Sequence, residues 1–237
     1  MTKFLLLADL HSGFGINTNN IIWMCLQRAK KNNVDCVIVA GDLISHDQNQ
    51  WEPILKMLRD EFPSIPILFV MGNHDYWSDR TQTFLQMEVR RQQLFKKYNI
   101  HNLEECDYKI NNINIMGYGG WYWLDFPPSN DCNFIHKTIE GIPFNDYLFA
   151  KARKSVDRIV NGIKNSKKTI VVSHFLTNDE SMGTLSEFKD RIIDANNGKL
   201  MLVYGHIHRE IIEHKKDYDM YVVGADYNKP QYLIVDF

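Results

Sequence analysis

No stretch of the 237-residue chain approaches the roughly 18 consecutive apolar residues that a membrane helix needs, so no membrane partner is expected. The amino terminus lacks a basic segment followed by a long apolar region and a small-residue cleavage site. Its first strand starts at Lys3 or Phe4, which argues against a secretory signal and predicts a cytoplasmic setting. Cysteine is sparse: Cys25, Cys36, Cys106 and Cys132 are scattered with no pair at metal-knuckle spacing, which points to reduced thiols and away from a thiolate metal site. Net charge is nearly absent, and a formal −2 with a pI near 6.5 leaves no dominant footprint for a nucleic-acid backbone, although a local basic groove stays open. Internal repeats, low-complexity tracts and linkers are missing as well, so a single domain over 1–237 is expected.

What is present is one unit repeated five times: an apolar run that ends in side chains able to bind a metal. Ile65-Pro66-Ile67-Leu68-Phe69-Val70 leads into Met71-Gly72-Asn73-His74-Asp75, and Phe4 to Ala8 leads into Asp9 and His11. Val37 to Gly41 leads into Asp42, Ile170 to Ser173 into His174, and Leu200 to Gly205 into His206 and His208. Runs of this length bounded by Gly or Pro read as buried strands. Ligands of open α/β sheets bind at the carboxyl ends of strands, so the five ends are expected to converge.

The intervening periodicity predicts a helix capped by Asn19 or Asn20 with Ile22, Leu26 and Ala29 on one face, and a second over Trp51 to Glu61 that stops before Pro63. A third covers Thr81 to Tyr98, with Phe84, Met87, Leu94 and Phe95 inward and Arg90, Arg91, Lys96 and Lys97 mostly outward. Strand two, Val34 to Ala40, is apolar on both faces, which predicts helices on each side of it. Tyr108 to Ile110 and Ile113 to Met116 flank Asn111-Asn112, a hairpin turn pair. Helices at 145–165 and 186–195, a strand at 168–173 and a small antiparallel set at 210–213, 220–223 and 232–235 complete an α/β pattern. The segment 117–143, rich in Pro, Gly and aromatics, reads as an insert of a length that tends to be functional.

Asp9, His11, Asp42, Asn73, His174, His206 and His208 together offer two carboxylates, an amide oxygen and four imidazoles. Mixed oxygen and nitrogen donors suit Mn, Fe, Zn, Co or Ni. Seven ligands are too many for one open site, whereas a carboxylate shared by two ions accounts for them, and ions roughly 3.5–4 Å apart form a clamp that hydrolyses phosphate esters.

In this order, Asp9-x-His11, Gly41-Asp42, Gly72-Asn73-His74-Asp75, His174 and Gly205-His206-x-His208 resemble the calcineurin-like metallophosphoesterase superfamily. The resemblance implies two mixed β-sheets packed as a sandwich flanked by helices, with a two-metal centre between the sheet ends. It implies that Asp9, His11 and His208 bind one divalent transition-metal ion, that Asn73, His174 and His206 bind the other, and that Asp42 bridges them. Mn is the first expectation for both ions. His74 is implied as the group that contacts phosphate and protonates the leaving oxygen, and Asp75 as support for the turn or for His74.

Protein Ser/Thr phosphatases of the superfamily carry Gly-Asp-x-x-Asp-Arg-Gly, where this chain reads Gly41-Asp42-Leu43-Ile44-Ser45-His46-Asp47. Imidazole cannot copy a bidentate Arg clamp, so the expected activity is a phosphodiesterase acting on a nucleotide-type or other small diester, with single-stranded nucleic acid as a further possible partner. A phosphomonoesterase or protein phosphatase, or a non-catalytic scaffold, is the alternative. His46 stands between a loop residue and a phosphate contact. Trp121, Tyr122, Trp123 and Phe126 stand between loop packing and a platform for the organic part of the substrate.

Overall fold

Apolar residues on both faces of a strand require cover on both sides, and the structure supplies it with helices on one face and a second sheet on the other. The structure, a computed structural model, describes residues 1–77, 82–119, 138–139, 141–175 and 186–237. In chain order the elements are β1 (Lys3–Leu7), α1 (Thr18–Lys30), β2 (Cys36–Ala40), α2 (Trp51–Glu61), β3 (Ile67–Val70), α3 (Phe84–Lys97), β4 (Ile100–Asn102), β5 (Tyr108–Ile110) and β6 (Ile113–Tyr118). They continue with β7 (Thr138–Ile139), β8 (Ile142–Pro143), α4 (Phe144–Ile163), β9 (Lys168–Ser173), α5 (Ser186–Asp194), β10 (Lys199–Tyr204), β11 (Ile211–His214), β12 (Asp219–Val222) and β13 (Leu233–Asp236).

One sheet has the order β13-β1-β2-β3-β4 and the other β11-β12-β10-β9-β6-β5. Both are mixed: β13, β11 and β5 are antiparallel to their neighbours, and the remaining pairs are parallel. Leu5, Leu7, Val37, Val39, Ile67 and Phe69 join a core with Ile22 and Leu26 of α1, Ile54, Leu55 and Leu58 of α2, and Leu94 and Phe95 of α3. The alternate residues Phe4, Leu6, Cys36, Ile38, Leu68 and Val70 form a separate core with Ile113, Ile115, Ile170, Val172, Met201 and Val203 of the second sheet. The period of two therefore sorts each strand between a helix layer and the other sheet.

Three expectations are corrected and one strand is added. The second strand has helices on one face only, because a sheet covers the other. The carboxyl-terminal strands do not form one antiparallel set: β12 adds parallel to β10, whereas β13 crosses to β1, where Val235 and Phe237 enter the inter-sheet core. β4 was not foreseen, since three residues give no alternation to read. Arg91 is buried, paired with Glu88 and lying over the rings of Tyr76 and Trp51 at 5.5 and 5.8 Å, a geometry a planar guanidinium accommodates. The hairpin at Asn111-Asn112 is present, with φ of 48° and 65° at the two turn residues. Among the described residues no helix is long and apolar enough to cross a membrane.

Candidate metal centre

β1, β2 and β3 are parallel neighbours in one sheet, and β9 and β10 in the other, so their carboxyl ends open toward a common cleft. Hydrogen bonds close the gap between the sheets: His174 Nδ1 donates to Ala40 O at 2.8 Å, and His206 N donates to the Asp9 carboxylate at 3.0 Å. Ten non-glycine residues among those described have positive φ. Five are asparagines, which tolerate that backbone best, and the other five are Asp9, His11, Asp42, His206 and His208. Each left-handed residue of this kind costs about 1–2 kcal/mol, and such strain concentrates at functional sites. Gly41, with φ of 84°, passes so close to His174 that a Cβ would overlap the imidazole, and a Cβ at Gly72 would overlap the Asp42 carboxylate.

The seven predicted ligands lie together. Asp9, His11 and His208 form one group of converging ligand atoms, and Asp42, His174 and His206 another. His208 Nε2 is 3.3 Å from His11 Nε2 and 3.6 Å from Asp9 Oδ1. His174 Nε2 is 3.2 Å from His206 Nδ1, 3.2 Å from Asn73 Oδ1 and 3.3 Å from Asp42 Oδ2. Asp42 Oδ2 also lies 4.0 Å from His11 Nε2.

The electrostatics fit cations. Asp9, Asp42 and Asp75 are buried, and among the described residues none is ion-paired to a Lys or Arg. Burial holds Asp9 well above the ordinary carboxylate range. At Asp42 burial acts upward too, but the charges of His174 and His74 outweigh it and hold the group low. Burial lowers His11 and His206 to about 3, leaving neutral imidazoles with free lone pairs. A buried carboxylate with no basic side chain of Lys or Arg beside it, as at Asp9, is costly, and the lowered imidazoles of His11 and His208, facing each other at 3.3 Å, leave a lone pair without a donor. His11 Nδ1 is one of two buried side-chain polar atoms without a partner among the described residues, the other being Thr169 Oγ1. A divalent metal ion held among Asp9, His11 and His208 would relieve the carboxylate and the facing imidazoles together.

The sequence profile of the calcineurin-like phosphoesterases matches residues 2–210. The chain belongs to this family. Membership makes the protein a phosphoester hydrolase of a class that binds divalent metals. No curated protein sequence matches it. Its fold is similar to that of Phosphopantetheinyl Hydrolase from Mycobacterium tuberculosis, with a TM-score of 0.66 and 14% identity over 98% of this chain and 95% of that one. It is also similar to a dimetal phosphatase from Danio rerio (TM-score 0.62, 10% identity, 94% and 87% coverage) and to the NAD nucleotidase of Haemophilus influenzae (0.54, 13%, 99% and 47%). At these identities the likeness is one of fold.

Around the phosphoesterase centre, His74 is buried, with Nδ1 2.8 Å from Ser45 O and the ring stacked on Trp77 at 3.6 Å between centroids. The Asp75 carboxylate accepts four backbone N–H bonds, from Asp42, Leu43, Ile44 and Gly72, at 2.8–3.2 Å. It thus ties the Asp42 loop to the Asn73 loop. His46 is exposed, with Nδ1 3.2 Å from Ser45 Oγ, and lines a cavity of about 300 Å³ with Gln48, Asn49 and Arg90. Trp121, Tyr122, Trp123 and Phe126 lie outside the described residues.

Sequence reasoning missed Asp226 and Tyr227. Asp226 Oδ1 is 3.3 Å from His208 Nδ1, and the Tyr227 ring stacks on His11 at 4.4 Å. The signal was there: Met220 to Val223 followed by Asp226 is a sixth instance of an apolar strand ending in polar groups.

Proposed function

We propose that the chain is a binuclear metallophosphoesterase that cleaves phosphodiesters of a nucleotide-type or other small substrate. Asp9, His11 and His208 would hold one divalent transition-metal ion, Asn73, His174 and His206 a second, and Asp42 would serve both. The observation that carries this reading is the place of Asp42 Oδ2, 3.3 Å from His174 Nε2 and 4.0 Å from His11 Nε2, where one carboxylate addresses both groups. A nitrogen and oxygen donor set without thiolate favours Mn, with Fe, Zn, Co or Ni as alternatives. When bound, such ions supply Lewis acidity toward phosphoryl oxygens.

The chain's own residues do the rest. The Ser45 carbonyl can only accept, so His74 carries a proton on Nδ1 and turns Nε2 to the cleft, where a second proton, held on Nε2 in the imidazolium form, passes to the departing oxygen and leaves the neutral Nδ1–H imidazole. Asp75 is a positioning residue, acting through the backbone of Asp42 and Gly72. Ser45 and His46 stand where related protein phosphatases have Asp and Arg, so the dianion clamp a monoester uses is missing. Two fold neighbours named as a phosphopantetheinyl hydrolase and an NAD nucleotidase favour a small substrate. We take residues 1–237 as one domain, with an insert at about 117–143 that begins as β6 ends and whose Trp121, Tyr122 and Trp123 contact the organic part of that substrate, while His46 contacts the phosphate. Buried free thiols at Cys25 and Cys36 suit a cytoplasmic setting.

The test is hydrolysis of bis-p-nitrophenyl phosphate and p-nitrophenyl phosphate by metal-free protein titrated with Mn, Fe, Zn, Co and Ni. Metal-dependent turnover that favours the diester supports the reading. A preference for the monoester removes the diester assignment, and absence of both turnover and metal-dependent melting leaves a scaffold.

A further inference from the structure

The loop after β12 delivers an aromatic hydroxyl to the imidazole of His74. Tyr227 Oη lies 3.3 Å from His74 Nε2. Its ring is stacked on His11 at 4.4 Å and 27°, lies 4.9 Å from the His208 ring, and is backed by Phe14 at 4.4 Å. Tyr227 is therefore wedged among residues of the loops after β1 and β10 that the sequence separates by up to about two hundred positions.

Its placement is fixed from several directions. The Tyr227 N–H donates to Asp226 Oδ1 at 2.8 Å, the same oxygen that faces His208 Nδ1 at 3.3 Å. Asp226 and Lys229 exchange backbone hydrogen bonds across the turn at 2.8 and 3.3 Å. Asn228, left-handed at φ of 57°, accepts from Thr18 Oγ1 at 2.7 Å. The loop is thus tied both to the centre and to the start of α1. A side chain placed with this many constraints is preorganised toward whatever enters the cleft.

We propose that Tyr227 is a catalytic residue: its hydroxyl, together with His74 Nε2, binds the leaving-group oxygen of the phosphoester and stabilises the charge that develops there. This rests on the role proposed for His74. As water forms the new P–O bond and gives up a proton to solvent, the P–O bond to the leaving group breaks and its electron pair goes to the leaving oxygen. That oxygen takes the proton of His74 Nε2, while Tyr227 keeps its own and contributes a hydrogen bond. The contact matters most for poor leaving groups such as an alkoxide or a sugar hydroxyl, on which charge accumulates before the proton arrives. Removing one preorganised donor of this kind costs roughly 10²–10³ in rate at the strongest sites, and a donor shared with an imidazole is expected at about tenfold or more.

The test compares Tyr227→Phe, Tyr227→Ala and His74→Ala on an alkyl diester and on bis-p-nitrophenyl phosphate, with metal content measured by elemental analysis. Tyr227→Phe is expected to lower kcat on the alkyl ester by about tenfold or more, with little change on the nitrophenyl ester, in KM or in metal content. Tyr227→Ala should add a rise in KM, because the ring wall is gone. Equal losses on both esters, no loss on either, or loss of metal from Tyr227→Phe overturns the proposal. If His74→Ala shows the leaving-group dependence and Tyr227→Phe does not, only the Tyr227 role fails. If neither shows it, the reading of His74 fails and the Tyr227 role goes with it.

Discussion

Asp42 Oδ2 lies 3.3 Å from His174 Nε2, with both side chains buried, and the carboxylate holds a proton on the imidazole. Burial alone would lower His174, but the Asp42 charge outweighs it and raises the group to about 9 from 6.5. In metal-free protein this stabilisation is complete below about pH 6.5 and is lost as the pH rises through about 9. Asp75, raised by burial to about 7, acts with the same sign but at lower pH, between about 3.8 and 7, where the lowered His11 and His206 oppose it, so the window above pH 6.5 belongs to His174. The melting temperature of chelator-treated protein is therefore expected to fall between about pH 6.5 and 9, and that of metal-loaded protein to stay level, since bound cations replace the proton. A level metal-free profile would contradict the assignment.

On the binuclear reading proposed above, substitution of Asp42 affects both ions. Purified protein is expected to hold close to two ions per chain by elemental analysis, and Asp42→Asn to lower the occupancy of both and the metal-induced rise in melting temperature. Fully active protein with a single ion would rule out the binuclear reading.

His74→Ala should separate chemistry from metal binding. Turnover is expected to fall by roughly 10²–10⁴ with metal content nearly intact, the usual effect of removing a positioned acid. Loss of metal in step with activity would instead make His74 a ligand, a role its place beside His11 and Asp42 also permits.

Asp226→Ala tests the support behind His208. The carboxylate faces the ring nitrogen remote from Asp9, so its loss should weaken metal affinity by roughly 10–100-fold with little change in the metal-free melting temperature. A metal titration that gives unchanged affinity would show that the contact is incidental.

Gly72→Ala places a methyl group against the Asp42 carboxylate and backbone nitrogen. Metal occupancy and turnover are expected to drop together, and far-UV circular dichroism to change little. Wild-type metal content in this variant would mean that the loop has slack the close approach does not suggest.

Much of the site was legible because its ligands follow apolar runs, and strand ends are places where a backbone stops pairing. Asp9, His11, Asp42, Asn73, His174, His206 and His208 all carry this local signature. Asp226 carries it too, but three residues past its apolar run, and Tyr227 carries nothing that separates it from an ordinary loop tyrosine. Arg91 could not be placed from helical periodicity, since its burial depends on Glu88 and on two rings from other elements.

By itself the sequence determined most of the strands, the five helices, the hairpin at Asn111-Asn112 and the identity of the candidate ligands, because apolar periodicity, turn chemistry and donor type are local properties. Only the tertiary structure decided which face of β2 meets a sheet, that β13 returns to β1, and that Tyr227 reaches His74. Those outcomes depend on contacts between residues far apart in the chain, and they are selected by which arrangement buries the most apolar surface and leaves the fewest polar groups unpaired.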